Sequence, residues 1–529
     1  MSLRESPFPN CFVEGLHAVS WGLILPCFWF LDRLIAVCMS TSLERTQRQE
    51  QECYLHPLKV FFGFILFLTL FLITAPLAFL GFLLWAPLQA EGERNLGFEA
   101  GANKATFGFA SANLCLLPDG IARFNNLGHT QRRATAIGRS IVQGVNRPHI
   151  RIFVDSPSSC GTLSPSSSLL PGPSTTSPAS YGSLPILLPP VINTNHNSNQ
   201  QDRKGHRNPP RALRTQGVAQ RGQAGPDDVP WEVSSLFPAN VDILCLEEVF
   251  DKRAAVKLTN TLGPLFNHIL YDVGVYFFNS GLFLASRYPV LEAQYHCFPN
   301  GRGGDALAAK GLLSAKVLVG QNQKEKKLVG YFNCTHLHAP EGEGEIRCEQ
   351  LNMLTKWIQE FQVTNSKPDE VVVFDVLSGD FNFDNCSPDD SLEQRHSLFE
   401  EYRDPCRAGP GQEKPWVIGT LLEQPTLYHE DVRTPENLQR TLEREDLRKQ
   451  YISSPVALDG CPMVYPELGQ PWVGRRIDYI LYRESSISKH CRTEIEEVTF
   501  VTQLAGLTDH IPVGLRLNVF LDSDTAQSE

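Results

Sequence analysis

The stretch Gly379-Asp380-Phe381-Asn382-Phe383-Asp384-Asn385 follows an apolar run, Val371-Val372-Val373-Phe374, that reads as a buried strand. Asp380 and Asn382 stand two apart at that strand's end, so their side chains share one side of the pleat. A carboxylate beside a neutral amide can hold a phosphate and a hard cation without doubling the negative charge. Alone, the same pattern is also that of a turn closed by an Asx hydrogen bond.

Working outward, other polar residues sit in or at the end of β-rich apolar runs. Asn113 lies in Ser111-Ala112-Asn113-Leu114-Cys115, and Glu248 closes the run that begins at Val241. Ser280-Gly281-Leu282, Ser286-Arg287-Tyr288-Pro289 and Thr335-His336-Leu337-His338 follow in order. Downstream come Arg476-Ile477-Asp478-Tyr479 and Thr508-Asp509-His510-Ile511-Pro512. A sandwich gathers strand ends along one edge, where such side chains can meet. This ordered set, over roughly residues 105 to 520, resembles the endonuclease/exonuclease/phosphatase superfamily. The resemblance implies a DNase I-like sandwich that cleaves phosphoester bonds with Mg²⁺.

The chain has 529 residues, 42% of them hydrophobic and 10% aromatic, enough for a large core. Its formal charge of −11 speaks against a general polyanion binder, so no nucleic-acid partner is expected. The 14 cysteines are scattered without a Cys-x-x-Cys pair, and read as reduced thiols on the cytosolic side of a membrane.

Residues 1–104 read as a membrane-anchoring region with hydrophobic segments near 18–39 and 60–90. The uncharged core of the first, Ala18 to Leu31, is short for a span and fits an interfacial or re-entrant helix. The second, Val60 to Ala90, carries no charge and has Pro76 near its middle; a kinked span and a one-leaflet hairpin both fit. The loop between them holds Arg33, Arg45, Arg48 and Lys59, and on its Lys and Arg content is the better candidate for the cytosolic side. Cys38 and Cys53, close to the interface, are palmitoylation candidates or simply buried thiols.

Residues 105–155 resume globular patterning as the first part of the catalytic domain. Strands are expected at 107–117 and 149–154, with a helix at 130–142. From 156 to 230 the composition turns to Ser, Pro, Gly, Asn and Gln, which predicts a disordered insertion. The catalytic domain continues over 231–520, followed by a tail at 521–529. Strands are expected at 241–249, 280–290, 310–319, 328–335, 370–377, 475–482 and 510–518, and helices at 251–262, 344–362 and 435–450. The expected fold is an α/β, DNase I-like two-sheet sandwich preceded by two hydrophobic membrane segments.

Hydrolysing a phosphodiester requires an activated water, a cation on the phosphate oxygens and donors for the developing charge. Glu248, at the end of a hydrophobic strand, is the leading metal ligand, with Asn113 and Asp509 adding oxygens; oxygen ligation suits Mg²⁺ or Mn²⁺. His510 is the candidate general base, oriented by Asp478. His336 would donate to a phosphate oxygen, with Asp380 and Asn382 positioning phosphate and leaving group. Glu247 stands where the superfamily usually has Gln. Neighbouring strand residues face opposite sides, so it need not crowd Glu248.

Longer phrases narrow the resemblance. Pro7-Phe8-Pro9-Asn10, Phe79-Leu80-Gly81-Phe82, Val249-Phe250-Asp251-Lys252-Arg253-Ala254 and Asp305-Ala306-Leu307-Ala308-Ala309-Lys310-Gly311 are similar to those of the membrane-anchored neutral sphingomyelinases. So are Thr335 to Pro340, Gly379 to Cys386 and Leu507 to His510. The branch resembled is the type 2 and mitochondria-associated one. The resemblance implies Mg²⁺-dependent hydrolysis of sphingomyelin to ceramide and phosphocholine at a membrane, with anionic phospholipids as activators. It also implies a regulatory switch at Asp305 and Lys310, and anionic-lipid contacts at Arg33, Arg45 and Arg48. Gly92 and Glu93 stand where some relatives carry paired basic residues. A cytosol-facing catalytic domain on intracellular membranes (endoplasmic reticulum, mitochondria, Golgi) or the plasma membrane fits this reading. An inositol-phosphate phosphatase or other phosphoesterase of the same fold, or an inactive membrane scaffold, is the alternative.

Overall fold

A computed structural model describes residues 11–50, 56–85, 104–147, 220–221, 229–271, 278–322, 326–458, 466, 471–489 and 491–521. The strand expected at 149–154 and most of the 156–230 insertion lie outside them.

Two long apolar helices open the chain, α1 (Cys11–Cys38, with Pro26 inside) and α3 (His56–Trp85, with Pro76 inside). Between them lies the short polar α2 (Ser42–Glu50). Thr41 and Glu44 start α2 with a reciprocal cap, Glu44 N–H donating to Thr41 Oγ1 at 3.3 Å and Thr41 N–H to Glu44 Oε2 at 3.1 Å. α1 and α3 run antiparallel, since Gly63 abuts Val37 while a side chain at Gly81 would collide with the Ser20 carbonyl at 2.7 Å. Small residues at such crossings let helices approach closely in lipid. His56–Gly81 is long and apolar enough to cross a membrane. The first segment is longer than the short piece expected: Asp32 and Arg33 do not end α1, because the Asp32 carboxylate turns aside to accept Gly120 N–H at 2.5 Å.

The larger, eight-stranded sheet has the order β2-β3-β14-β15-β1-β4-β6-β5. Its strands are β1 (Lys104–Asn113), β2 (Gln220–Arg221), β3 (Trp231–Ser234), β4 (Ile243–Glu247), β5 (His268–Tyr271), β6 (Phe283–Ser286), β14 (Cys491–Val501) and β15 (Val513–Leu521). The smaller sheet, ordered β13-β10-β9-β8-β7, comprises β7 (Val290–Cys297), β8 (Gly311–Gln321), β9 (Lys327–His336), β10 (Glu370–Asp380) and β13 (Asp478–Tyr482). A hairpin of β11 (Arg407–Gly409) and β12 (Gln412–Glu413) stands apart.

The two sheets pack face to face. Between them Phe109 stacks on Phe332 at 5.9 Å and meets Phe374 edge-on at 5.0 Å. The outward residues of β1 and β4 are covered by α5 (Thr130–Val145) and α6 (Lys252–Leu262), through Ile137, Ile141, Leu258 and Leu262. The outer face of the smaller sheet is covered by α7 (Gly344–Asn365), whose Leu351, Leu354 and Ile358 meet Leu312, Leu377 and Leu481. Because both faces of each central strand are buried, β4 and β10 read as continuous apolar runs rather than alternating ones.

Three expectations need correcting. The helix expected at 435–450 is two, Pro435–Leu442 and Glu445–Tyr451, because Arg444 between them is extended. The far end of the predicted disordered insertion is ordered at Gln220–Arg221, which pairs with Val233 and Glu232. The reading of all cysteines as reduced fails for Cys245 and Cys334, which form a disulfide between β4 and β9 across 89 residues of sequence. Spacing could not reveal it, because the two sulfurs come from different sheets and meet only when these pack. Both cysteines are fully buried.

Candidate active site

Strand register brings the polar residues to one edge of the sandwich. β1 and β4 run parallel with Asn113 beside Glu247, β9 and β10 run parallel with His336 beside Asp380, and β13 starts with Asp478 opposite Asp380. Parallel neighbours end at the same side and antiparallel β13 begins there, so five strands from two sheets deliver side chains to one place. Gly379, with φ at +148°, lies so close to Thr335 that no side chain fits there. Glu248 and Asn382 follow their strands in the left-handed conformation, φ +57° and +56°. For non-glycine residues this costs on the order of 1 kcal/mol each, a strain typical of functional edges.

The His510 ring is fixed by Asp478, with Nδ1 to Oδ2 at 2.9 Å, leaving Nε2 4.0 Å from Asp380 Oδ2. Burial alone would lower the His510 pKa, but the charge and hydrogen bond of Asp478, then Asp380 and Asp509, hold it well above the usual range. His336 is fully buried with Nε2 3.6 Å from Asp380, and neither ring nitrogen has a hydrogen-bond partner. Burial and the Lys310 charge push its pKa well below the ordinary value.

Asn113 bridges the two sheets, its amide nitrogen donating to Asp380 Oδ2 at 2.9 Å and Glu248 Oε1 at 3.1 Å. Its oxygen accepts Cys115 N–H, so in this arrangement Asn113 is a donor to carboxylates, not the neutral oxygen ligand expected. Glu248 Oε2 is buried without a partner, and burial with the nearby Asp509 charge pushes this carboxyl up to about 7. Burial also raises Asp380. Glu248, His336 and Asp380 each offer a ligand atom within 4.8 Å of the others, and so do Asp380, Asp478 and His510. A buried, partly orphaned carboxylate cluster of this kind fits a hard divalent cation.

Asp509 accepts from Gln424 Nε2 at 3.0 Å and Asn125 Nδ2 at 3.4 Å. Asn382 donates its amide to the Leu337 carbonyl, which also accepts Lys310 Nζ at 3.0 Å. Lys310 pairs with Asp305 at 2.8 Å, and the same Asp305 oxygen meets His338 Nδ1 at 3.2 Å and Ala339 N–H at 2.7 Å. The second half of the opening motif is structural: Asp384 accepts Cys386 N–H, Ser387 N–H and Arg475 Nε.

Glu247 faces away from Glu248, beneath the site, accepting from Ser111 at 3.0 Å. Burial, then the charges of Asp478 and Asp380, push its pKa well above the ordinary range. Gln424 and Asn125 carried no sequence signal of a role here, whereas His338 stood in a recognised motif without a role assigned to it. Thr508, which donates to the Asn113 carbonyl at 2.8 Å, lay inside a recognised phrase.

Of the basic residues expected at lipid, Arg33 is engaged by Asp32 at 2.6 Å and Asp119 at 3.5 Å. Arg45 is exposed apart from the Ser40 carbonyl, and Arg48 contacts His56 at 2.6 Å. Arg48 and His56 line an open cavity of about 540 Å³ with Val37, Ser40 and Phe64.

Residues 12–91 match the neutral sphingomyelinase N-terminal transmembrane region, and residues 192–510 match the endonuclease/exonuclease/phosphatase family. Sphingomyelin phosphodiesterase 5 of Danio rerio is 65% identical over 559 residues, 99% of this chain and 100% of that protein. Sphingomyelin phosphodiesterase 3 of Homo sapiens is 40% identical, covering 98% and 99%. A crystal structure of SmcL aligns at 18% identity and a TM-score of 0.32 over 53% of this chain and 86% of that one. Fold and site thus define a phosphoesterase of the endonuclease/exonuclease/phosphatase class. Within it, the chain belongs to the membrane-anchored neutral sphingomyelinases, a family of sphingomyelin phosphodiesterases.

Proposed function

We propose that this chain hydrolyses sphingomyelin to ceramide and phosphocholine at a membrane surface, with His510 activating the water. The observation that carries this is the His510–Asp478 contact of 2.9 Å, set against a buried carboxylate cluster at the same edge. Asp478 holds the proton on Nδ1, which leaves Nε2 as the acceptor. The water gives its proton to His510 Nε2 while its oxygen attacks phosphorus; the bond to the ceramide oxygen breaks, and that oxygen takes a proton from solvent. His336, whose ring nitrogens have no hydrogen-bond partner, donates to a phosphate oxygen, and Asp380 and Asn382 position the phosphate.

Glu248, Asp380 and Asp509 would hold Mg²⁺, or Mn²⁺ in its place, which supplies positive charge to a phosphate oxygen and offsets the carboxylates that raise His510. Asn113 orders these carboxylates as placed, and becomes a ligand if its amide turns over. Asp305 and Lys310 act as the switch, since breaking their pair frees the ammonium beside Leu337 and Asn382. Anionic phospholipid headgroups suit Arg45, Arg48 and the cavity that Arg48 shares with His56; Arg33, held by Asp32 and Asp119, braces the membrane helices against the catalytic domain instead.

The α1–α2 connection touches the catalytic domain, so both lie on the same side of the membrane. Its basic content supports the cytosolic face of an intracellular or plasma membrane. The buried Cys245–Cys334 pair is shielded there from soluble thiols. Glu247, the feature that favoured an inactive scaffold, is bonded to Ser111 and faces away from Glu248.

The test is phosphocholine release from mixed sphingomyelin and phosphatidylserine vesicles, with Mg²⁺ or EDTA, beside His510→Ala. Release that needs the cation and is lost in the variant is expected. Undiminished release with EDTA, or by the variant, would overturn the roles assigned; none by folded wild type would overturn the substrate.

A further inference from the structure

One of the segments that join the membrane helices to the catalytic site is a short turn, Arg123–Asn125, with Asn126 after it. Each residue except one is committed. Arg123, buried, donates to the Met39 carbonyl at the end of α1 at 3.0 Å and to Glu44 of α2 at 2.5 Å. Asn125 donates to Asp509 in the active site. Asn126 accepts Ser42 N–H at 2.7 Å and donates to the Gln424 carbonyl, while the Gln424 side chain donates to Asp509. Phe124, between the membrane tether and the site contact, is 62% exposed. Among the described residues outside α1 and α3 it is the one Phe or Trp left exposed.

A lone exposed aliphatic residue on a soluble surface needs no explanation. An exposed phenyl ring held within one turn of both a membrane helix end and a catalytic carboxylate is different, because its place relative to the bilayer is fixed. Leu307 is also exposed, at 52%, but no described contact ties its turn to the membrane helices.

We propose that Phe124 inserts into the boundary between headgroups and acyl chains of the membrane that holds α1 and α3, seating the active-site edge on the lipid surface. The occupant is the bilayer, because the residues on either side of Phe124 bond to the end of α1 and the start of α2, Arg123 to the Met39 carbonyl and Asn126 to Ser42 N–H. Aromatic rings favour that depth, where one side is apolar and the other wet. The consequence is that a phosphodiester in the headgroup layer meets Asp509 and His510 without leaving the membrane. The inference deepens the function proposed above and rests on its membrane placement.

Two measurements on the full chain test it. In phosphatidylcholine–phosphatidylserine vesicles, Trp emission of Phe124→Trp is compared with wild type, with and without acyl-brominated phosphatidylcholine. The added emission should be quenched by the brominated lipid; unquenched emission, whether from a ring in water or against a second copy, overturns the proposal. Second, hydrolysis of vesicle sphingomyelin is divided by hydrolysis of a water-soluble phosphocholine diester. Phe124→Ala should lower that ratio roughly tenfold, equivalent to about 1.4 kcal/mol, and Phe124→Leu should restore most of it. A Phe124→Ala ratio within about twofold of wild type counts against insertion. If wild type cleaves neither substrate, the function fails while the quenching still decides the role of Phe124.

Discussion

Replacing Asp478 by Asn tests the base assignment without changing the shape of the site. In the structure the carboxylate lies 2.9 Å from His510 Nδ1, and both groups are buried. Two unit charges at that separation attract by about 6 kcal/mol at an effective dielectric of about 20, before desolvation is subtracted. The transition state needs that attraction, because His510 becomes an imidazolium as it takes the water's proton. General-base catalysis is worth about 10² to 10⁴ in rate, or about 3 to 5 kcal/mol. Asp478→Asn, which leaves the wrong tautomer partner on Nδ1, should therefore lower kcat about 10³-fold. Asp478 acts only through His510, so adding Asp478→Asn to His510→Ala should cost little more than His510→Ala alone. The assay is phosphocholine release from mixed vesicles, with circular dichroism to confirm folding. Less than a tenfold loss in Asp478→Asn, or multiplicative losses in the double variant, would refute the pairing as the catalytic base.

Two further expectations follow from burial and chain geometry. Burial alone would raise the Asp305 carboxyl, but the Lys310 ammonium and the contacts of His338 and Ala339 N–H hold it well below its ordinary pKa. A depressed folded pKa means this stability is present above the unfolded pKa, near 3.9, and is lost as pH falls through the folded value. Asp305→Asn should therefore unfold at lower denaturant than wild type at pH 7, and the gap should narrow below about pH 4; a constant gap contradicts the assignment. Removing both sulfurs with Cys245→Ala and Cys334→Ala opens a closure of 89 residues and should cost about 2 to 5 kcal/mol. A melting temperature that is unchanged, with both wild-type thiols open to alkylation in denaturant without reductant, would show that no such bond forms.

Much of the sandwich was legible because its strands are apolar runs ended by polar residues. Val371 to Phe374 lead to Asp380, and Val241 to Leu246 lead to Glu248, and the structure sets both ends at one edge. His510 and Asp478 could be paired from sequence because each occupies an otherwise apolar setting that demands a partner. Contacts between segments without periodicity were not legible. The Cys245–Cys334 bond and the Gln424 contact to Asp509 depend on how sheets and loops meet, which no local pattern encodes. The helix break at Arg444 was missed because the sequence there is polar and helix-favouring, and the backbone alone departs from the helix. Asn113 meets Asp380 and Glu248 at the strand-end edge, but its amide orientation is set by the Cys115 N–H, which only the folded backbone presents.

The antiparallel packing of α1 and α3 restricts how often the chain can cross a bilayer. The end of α1 lies beside the catalytic domain through the Arg123 contact to Met39, and Arg48 of α2 ties the start of α3 to that same end through His56. α3, at 30 residues, is about 45 Å long and exceeds the hydrocarbon thickness. If it crossed fully, Trp85 would emerge on the opposite side from β1, which begins at Lys104. The chain would then need another crossing within residues 86–103, where Glu91, Glu93, Arg94 and Glu99 make a lone apolar span untenable. A helix that instead entered and left by the same face, lying obliquely within one leaflet, would need no second crossing. Such a hairpin loads one monolayer more than the other, so the enzyme's own insertion would press on the curvature of the leaflet whose lipid it cleaves.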